Sequence, residues 1–204
     1  MQPIVGQSRS WYDRRMMASG ETKRLVLEPL EIDDAAQIQV LFPHWEIVRY
    51  LRNVVPWPYP ADGARHFCEE IALPQMERGE GWYWTLRLKS EPKQIIGCIN
   101  LRSGEQDHRG FWLGLQWQGQ GLMSETCLWV NDFWFEALGF PVLRVSKAAA
   151  NRSSSRISEK QGMRLVGTAE KDYVCGRLPS EMWEITAEQW RAWKLAHPEP
   201  RTAP

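Results

Sequence analysis

Hydrophobic and polar residues alternate with a period of two in several short segments, which is the pattern of a half-buried strand. In residues 82–89 the large side chains of Trp82, Trp84, Leu86 and Leu88 share one face. Residues 94–101 are more uniformly apolar, which is typical of a central strand. The predicted strands are 24–30, 82–89, 94–101, 108–115, 142–146, 163–174 and 181–185.

Apolar residues recur at helical spacing in other segments, most clearly after Gly121. Asp33 or Asp34 is suited to cap a helix that ends at Leu41. Pro74 is expected to bend or interrupt a helix over residues 61–78. The other predicted helices are 44–51, 121–138, 151–161 and 187–195.

The order of these elements predicts an α/β or α+β domain with a mixed sheet. Three consecutive strands, from 82 to 115, favour an antiparallel meander. The later strand–helix–strand unit, from 142 to 174, favours a parallel crossover. We expect a single domain over residues 22–195, a flexible N-terminal arm over 1–21 and a C-terminal tail over 196–204.

Composition excludes several classes of function. The 25 Lys and Arg balance 25 Asp and Glu, which argues against general nucleic-acid binding. Since there is neither an apolar run of about 20 residues nor a secretory signal, we expect a cytoplasmic protein without a membrane span. The four cysteines form no C-x-x-C pair and have no histidine at ligand spacing, which predicts reduced thiols and no metal site.

The segment 116–121 reads Gln-Trp-Gln-Gly-Gln-Gly between a predicted strand and a predicted helix. At such a turn the N–H groups of the helix N-terminus lack intrahelical acceptors and the macrodipole is positive. The turn is therefore predicted to bind a phosphate or pyrophosphate. It is neither a Walker loop nor a G-x-G-x-x-G loop, so the usual nucleotide sites fit poorly.

Two further features have both a structural and a ligand-binding interpretation. Gly110 and Gly114 share one face of the preceding strand, where either a ligand or a bulky neighbour approaches closely. In segment 151–163, Asn151 is suited to cap the helix. Its hydroxyl and amide side chains form one stripe that faces either a polar ligand or solvent. That stripe contains Ser154, Ser158 and Gln161, together with Ile157.

These segments resemble the GCN5-related N-acetyltransferase (GNAT) superfamily. Its pyrophosphate motif, Q/R-x-x-G-x-G/A, stands here at 116–121. The closer likeness is to the branch that acetylates ribosomal-protein N-termini at alanine or serine. That branch's W-L-G-x-x-x-x-G-x-G run appears at 112–121. Its N-x-x-S-x-x-x-x-E-K-x-G-F run appears at 151–163, with Met163 in place of phenylalanine.

The resemblance covers about residues 22–194 and implies a mostly antiparallel sheet of six to seven strands, flanked by helices. It also implies acetyl-CoA as the cofactor, with amides from Gln118 to Ser124 on the pyrophosphate and Gly114 to Gln116 along the pantetheine as a pseudo-strand. Asn151 is expected to bind the pantetheine and Arg156 the 3′-phosphate. The cofactor residues implied are Gly114, Leu115, Gln116, Gln118, Gly119, Gln120, Gly121, Leu122, Met123, Ser124, Asn151 and Arg156.

Acetyl transfer needs a neutral amine to attack the thioester and a thiolate to leave. Ser154 occupies the position where the related branch has a serine near the sulfur, so the resemblance implies that it supports the thiolate. The family often has a glutamate before the strand that starts here at His108. We predict His108 as the general base, with Glu105 and Asp107 as alternatives. The structural alternative is an ordinary surface histidine.

The proline-rich loop at 56–60 is the expected acceptor wall, with Trp57, Tyr59 and the strand residue Trp112 as substrate-binding side chains. A rigid packed connector is the alternative. The leading acceptor is a protein N-terminal amine, and the second class is a small-molecule amine. A CoA-binding sensor without turnover is a third hypothesis. A homodimer is compatible with the sequence, which does not determine the oligomeric state.

Overall fold

The computed structural model describes residues 18–104 and 106–198 and contains two antiparallel sheets. The first sheet has the order β1-β2-β3-β4-β5, and the second has the order β6-β8-β7. The strands are β1 (Gly20–Glu21), β2 (Leu25–Pro29), β3 (Gly81–Leu88), β4 (Glu91–Arg102), β5 (Arg109–Leu113), β6 (Val142–Ala148), β7 (Arg164–Tyr173) and β8 (Gly176–Thr186).

Helices connect the strands and cover the sheets. The α-helices are α1 (Ala35–Leu41), α2 (Trp45–Val48), α3 (Gly63–His66), α4 (Leu73–Glu77), α5 (Leu122–Asp132), α6 (Arg152–Lys160) and α7 (Ala187–Ala196). A π-helical segment, Phe67–Ala72, joins α3 to α4, and another, Phe133–Ala137, extends α5. No helix in the described part of the chain is long and apolar enough to cross a membrane.

The predicted meander is confirmed, because β3, β4 and β5 pair as consecutive antiparallel neighbours. The predicted crossover is only half right. Strands β6 and β7 run parallel to each other, but β8 lies between them and pairs antiparallel with both. Gly20–Glu21, which the sequence analysis placed in the N-terminal arm, forms β1 against β2. The rest of that arm, residues 1–17, lies outside the described residues.

Two hydrophobic clusters fill the molecule. The larger one lies on the side of α5 and α7 and contains the side chains that alternate along β3, including Trp82, Trp84 and Leu86. The ring of Trp84 meets those of Trp129 and Phe133 edge-on, with centroids 5.5 and 5.1 Å away. The smaller cluster joins α1 and α3 to the opposite side of the first sheet. Leu122 and Met123 at the start of α5 belong to the larger cluster, together with Leu113 of β5.

Candidate active site

A cleft lies between β5 and β6, where the two sheets meet. The backbone N–H of His108 donates to the carbonyl of Arg144 at 2.8 Å and joins the two edges just before β5. The space between the two strands opens beside this junction. The cleft is lined by Tyr50, Leu51, Arg109, Gly110, Phe111, Val145, Ser146, Lys147, Asn151 and Ser154.

The glycine turn forms the start of α5 as predicted. Gly119 and Gly121 have φ values of +75° and +77°, which side chains other than glycine rarely adopt. Gly121 is the N-cap residue, and the first helical bond runs from the Glu125 N–H to its carbonyl at 3.1 Å. Within the described residues, the six N–H groups from 119 to 124 have no hydrogen-bond acceptor. This row of free donors at a helix N-terminus suits a pyrophosphate.

The strand side of the turn is less extended than predicted. Leu115–Trp117 forms a 3₁₀ turn, so the expected pseudo-strand over Gly114–Gln116 is wrong beyond Gly114. The side chain of Gln118 donates to the Leu113 carbonyl, and that of Gln120 donates to the Gln116 carbonyl, each at 2.8 Å. Both amides therefore hold the turn in shape.

The two glycines of the preceding strand face bulky neighbours, so the structural interpretation of this pair is correct. A Cβ on Gly110 would lie 2.8 Å from the Asn100 side chain, and one on Gly114 would lie 2.7 Å from the Trp117 ring. No ligand is needed to explain either glycine.

Arg24 and Glu125 form a second support for the turn, which the sequence analysis missed. Arg24 donates to the Gln120 carbonyl at 2.9 Å and to the Glu125 carboxylate at 2.8 Å. Thr22 donates to the same carboxylate. Since about a hundred residues separate the partners along the chain, no local pattern could have revealed the contact. Arg24, paired with Glu125, therefore braces the turn through the Gln120 carbonyl.

Helix α6 begins at the cleft. Asn151 caps it as predicted, since its side-chain oxygen accepts from the Ser154 N–H at 3.3 Å. Ser154 is buried, lines the cleft, and its hydroxyl has no hydrogen-bond partner among the described residues. Arg156 lies on the exposed side of the same helix. Its contact with a 3′-phosphate stays a prediction.

The other polar groups of the α6 stripe have protein partners. Ser158 accepts from the Lys147 ammonium at 2.5 Å. Gln161 accepts from Arg109 at 3.1 Å and donates to the Ser124 carbonyl at 3.3 Å. Ser154 therefore differs from Ser158 and Gln161 in having a polar side chain that is free to meet a ligand.

His108 does not have the free nitrogen that a general base needs. Its ring is buried and stacks on Trp134, with centroids 4.8 Å apart. Nδ1 accepts from the Arg144 N–H at 3.0 Å, so Nε2 carries the proton and donates to the Gly104 carbonyl at 2.8 Å. The structure thus contradicts both the predicted base and the surface-histidine alternative. His108 links the two sheets.

The alternative base Asp107 is also committed to structure. It accepts from the Ser146 N–H at 2.7 Å and lies 3.2 Å from Arg52 and 3.5 Å from Lys171. Burial raises the pKa of Asp107, but the bonds from Ser146 and the two cations outweigh it, so that the pKa lies below its usual value. A carboxylate held in this way is a weak base. Glu105 lies outside the described residues.

The three predicted acceptor residues do not line the cleft. Tyr59 and Trp112 both pack on Phe42, with ring centroids 5.0 and 5.3 Å away, in the smaller hydrophobic cluster. Trp57 is half-exposed and contacts Trp45. At Tyr59, the proline-rich loop is therefore a packed connector, which was the alternative to an acceptor wall. Tyr50 and Leu51, which the sequence analysis did not select, line the cleft instead.

A backbone pairing places Tyr50 and Leu51 there. The segment before the proline-rich loop pairs with the turn between β7 and β8, through bonds from the Val174 N–H to the Leu51 carbonyl and from the Cys175 N–H to the Arg49 carbonyl, at 3.0 and 3.1 Å. This pairing closes one end of the cleft. Nothing in the local sequence indicates that these two segments are partners.

Comparison with known proteins identifies the chain. Residues 24–164 match the sequence profile of the acetyltransferase (GNAT) domain. The chain belongs to the GNAT acetyltransferase family. It is 29% identical over 154 residues to the uncharacterized N-acetyltransferase YoaA of Bacillus subtilis (strain 168), a match that covers 72% of this chain and 83% of the relative.

Solved structures share this GNAT fold. The ribosomal-protein-S5-alanine acetyltransferase of Vibrio fischeri superposes with a TM-score of 0.72, over 85% of this chain and 98% of that one, at 15% identity. RimJ of Mycobacterium smegmatis, in complex with CoA-disulfide, gives a TM-score of 0.73, over 87% and 93%, also at 15% identity.

GNAT acetyltransferases use acetyl-CoA, and the residues present here fit that cofactor. The free N–H groups from 119 to 124 suit its pyrophosphate. The cleft between β5 and β6 reaches Asn151 and Ser154 at the start of α6. When bound, acetyl-CoA supplies the activated acetyl group. This N-acetyltransferase supplies the backbone donors and the walls of the cleft.

Proposed function

We propose that this N-acetyltransferase acetylates the N-terminal amine of a protein. The observation that carries the proposal is the chemistry of the cleft. Of the described residues that line it, none has a carboxylate or an imidazole, and two are the cations Arg109 and Lys147. A protein acceptor agrees with the ribosomal-protein-S5-alanine acetyltransferase that has the same fold.

A cleft whose described lining has no carboxylate or imidazole favours amines that are already neutral. An α-amino group has a pKa near 8, so about a tenth of it is neutral at pH 7. A lysine-like amine, with a pKa near 10.4, is neutral in only about one molecule in 2,500. The N-terminal amine therefore reaches the reactive form without help from the protein.

The charge of the lining acts in the same direction. Polyamines and aminoglycosides carry several positive charges and are usually held by carboxylates. Arg109 and Lys147 would repel them. A peptide N-terminus brings one ionisable amine and an otherwise neutral backbone, which suits the neutral side chains of Tyr50, Leu51 and Phe111.

A thiol-release assay with acetyl-CoA tests the proposal. We expect turnover with peptides that have a free N-terminus and none with the same peptides blocked at the N-terminus but carrying a lysine. Faster turnover with spermidine or an aminoglycoside than with any peptide would contradict it. Binding of acetyl-CoA in calorimetry, without thiol release in the presence of any amine, would favour the sensor hypothesis.

The homodimer stays a prediction, which sedimentation of the purified protein tests.

A further inference from the structure

Two buried cations line the cleft. Arg109 and Lys147 are both only 6% exposed, and within the described residues neither has a carboxylate at ion-pair distance. Buried Arg and Lys are normally paired, because an uncompensated charge in the interior is costly. A cation that is buried without a carboxylate partner and faces a cleft is therefore a candidate for a catalytic role.

The hydrogen bonds of Lys147 leave one donor free. Its Nζ donates to the Ser154 carbonyl at 2.9 Å and to the Ser158 hydroxyl at 2.5 Å. An ammonium has three donors. The two bonds anchor Nζ to the first two turns of α6, and Lys147 and Ser154 both line the cleft. The third proton has no acceptor among the described residues.

The charged and titratable groups around Lys147 come from four elements. They are Arg109 of β5, Cys127 of α5, Glu159 of α6 and Glu181 of β8. Burial, followed by the Arg109 cation, lowers the pKa of Lys147 to about 7, against the smaller opposing effects of Cys127, Glu181 and Glu159. Glu181 is engaged by Ser155 and Trp183. Lys147 can therefore exchange a proton near neutral pH.

We propose that Lys147 is the catalytic acid of this enzyme and that it protonates the sulfur leaving group on the wall it shares with Ser154. This inference rests on the proposed acetyl transfer and on the position of Ser154. Lys147 gives one proton to the sulfur, which leaves with the electron pair of its bond to the acetyl carbon. The attacking amine releases a proton to solvent as its bond to that carbon forms, and Lys147 regains one from solvent.

The first test compares kcat against pH in the wild type and in Lys147→Met, with a peptide acceptor. Wild-type kcat should level off between about pH 7 and 8, where the loss of the Lys147 ammonium offsets the gain in neutral amine, and should fall above about pH 8. Lys147→Met should lose that descending limb and at least tenfold in kcat at pH 7, with KM for acetyl-CoA nearly unchanged. Lys147→Arg keeps the cation but cannot release its proton near neutral pH, so it should not restore the limb.

Two controls separate the acid role from a structural one. Lys194→Met removes a surface lysine that pairs with Asp132 and should leave the profile unchanged. An acetyl thioester whose thiol is more acidic than that of CoA can release its thiolate without receiving a proton. As the acetyl donor, it should therefore largely restore the rate of Lys147→Met. A defect of equal size with both donors would overturn the proposal. Tyr50 also lines the cleft and carries a hydroxyl proton. If Tyr50→Phe, and not Lys147→Met, lost the descending limb of the pH profile, the proposal would be overturned as well.

A binding measurement tests the contact without turnover. Ultraviolet difference absorbance should show more thiolate near pH 7, where the Lys147 ammonium can pair with it, for CoA bound to the wild type than for CoA bound to Lys147→Met. Desulfo-CoA should show no such signal. The same thiolate signal from CoA bound to both proteins would refute the role of Lys147 and leave the proposed function standing. CoA that binds to neither would refute the proposed function itself.

Discussion

At the scale of single residues, His108 shows how burial changes the meaning of a side chain. The sequence places a histidine where the family often has an acidic base, and its ordinary pKa suits that role. In the structure, both ring nitrogens are already bonded to backbone groups. Desolvation lowers the pKa of His108, against the raising effect of the Gly104 carbonyl. The neutral ring therefore holds the two sheets together.

We expect His108→Ala to lower the free energy of unfolding by about 2–4 kcal/mol, since it leaves the Arg144 N–H and the Gly104 carbonyl without partners and removes a stacked ring. Urea unfolding measures this change, and the exposed His44→Ala is the matched control. The folded-state pKa lies below the unfolded value of about 6.5. The contribution of His108 is therefore complete above pH 6.5 and declines as the pH falls below it.

The activity of His108→Ala tests whether His108 acts as the general base. At a temperature where His108→Ala stays folded, its kcat/KM should keep the wild-type pH profile. A folded variant that loses a hundredfold in rate, together with the rising limb of the profile, would restore His108 as the base.

Residue roles that depend on local geometry could be predicted from the sequence. The cap at Asn151 and the glycines at the start of α5 follow from contacts within a few residues, and the structure confirms them. The roles of His108, Arg24 and Lys147 depend on groups that are distant along the chain. Without those partners, a histidine before a strand looks like a free base, and a lysine in a strand looks solvated.

At the scale of elements, the alternation and helical spacing predicted most of the order correctly. The helix over 61–78 was expected to be bent or interrupted by Pro74. It is interrupted just before Pro74 by the π-helical segment Phe67–Ala72, and Pro74 lies in the first turn of α4, where a missing N–H is tolerated. Such a segment has no signature in hydrophobic spacing, because neighbouring packing decides where a turn widens.

A residue from a distant element supports the turn at the start of α5. Arg24 holds the Gln120 carbonyl and brings a positive charge to the start of α5. We expect Arg24→Ala to raise the Kd for acetyl-CoA by about five- to thirtyfold, which corresponds to roughly 1–2 kcal/mol. Calorimetry measures the change. Arg78→Ala, which removes another surface arginine paired with a glutamate, should leave Kd unaltered, and an unaltered Kd in Arg24→Ala would contradict the role.

At the scale of the whole molecule, the cleft exists because two sheets meet at one short junction and then separate. The connection from β5 through α5 to β6 crosses from one sheet to the other, and β8 returns between β6 and β7. Sequence order alone does not reveal this arrangement, which is why the crossover was predicted between neighbouring strands. The arrangement leaves Lys147 buried on an inner wall, near Arg109 and, within the described residues, without a carboxylate at ion-pair distance.

This burial has a consequence for global stability that is independent of catalysis. The unfolded chain binds a proton at Lys147 below about pH 10.4, whereas in the folded protein burial and Arg109 lower the pKa to about 7. As the pH falls through this window, protons favour the unfolded state, and wild-type stability decreases by roughly 1.4 kcal/mol per pH unit from this group. Above the window Lys147 is neutral in both states, and below it Lys147 is charged in both.

We therefore expect Lys147→Met to gain stability relative to the wild type on going from pH 10 to pH 7. The substitution also removes the hydrogen bonds of Lys147. Their loss changes the free energy of unfolding of the variant by an amount that does not depend on pH. Urea unfolding at pH 7, 8.5 and 10 measures this change, and Lys194→Met should follow the wild type at all three. A constant difference between Lys147→Met and the wild type would mean that Lys147 titrates as an ordinary surface lysine. Nζ would then exchange no proton near neutral pH and could not serve as the acid.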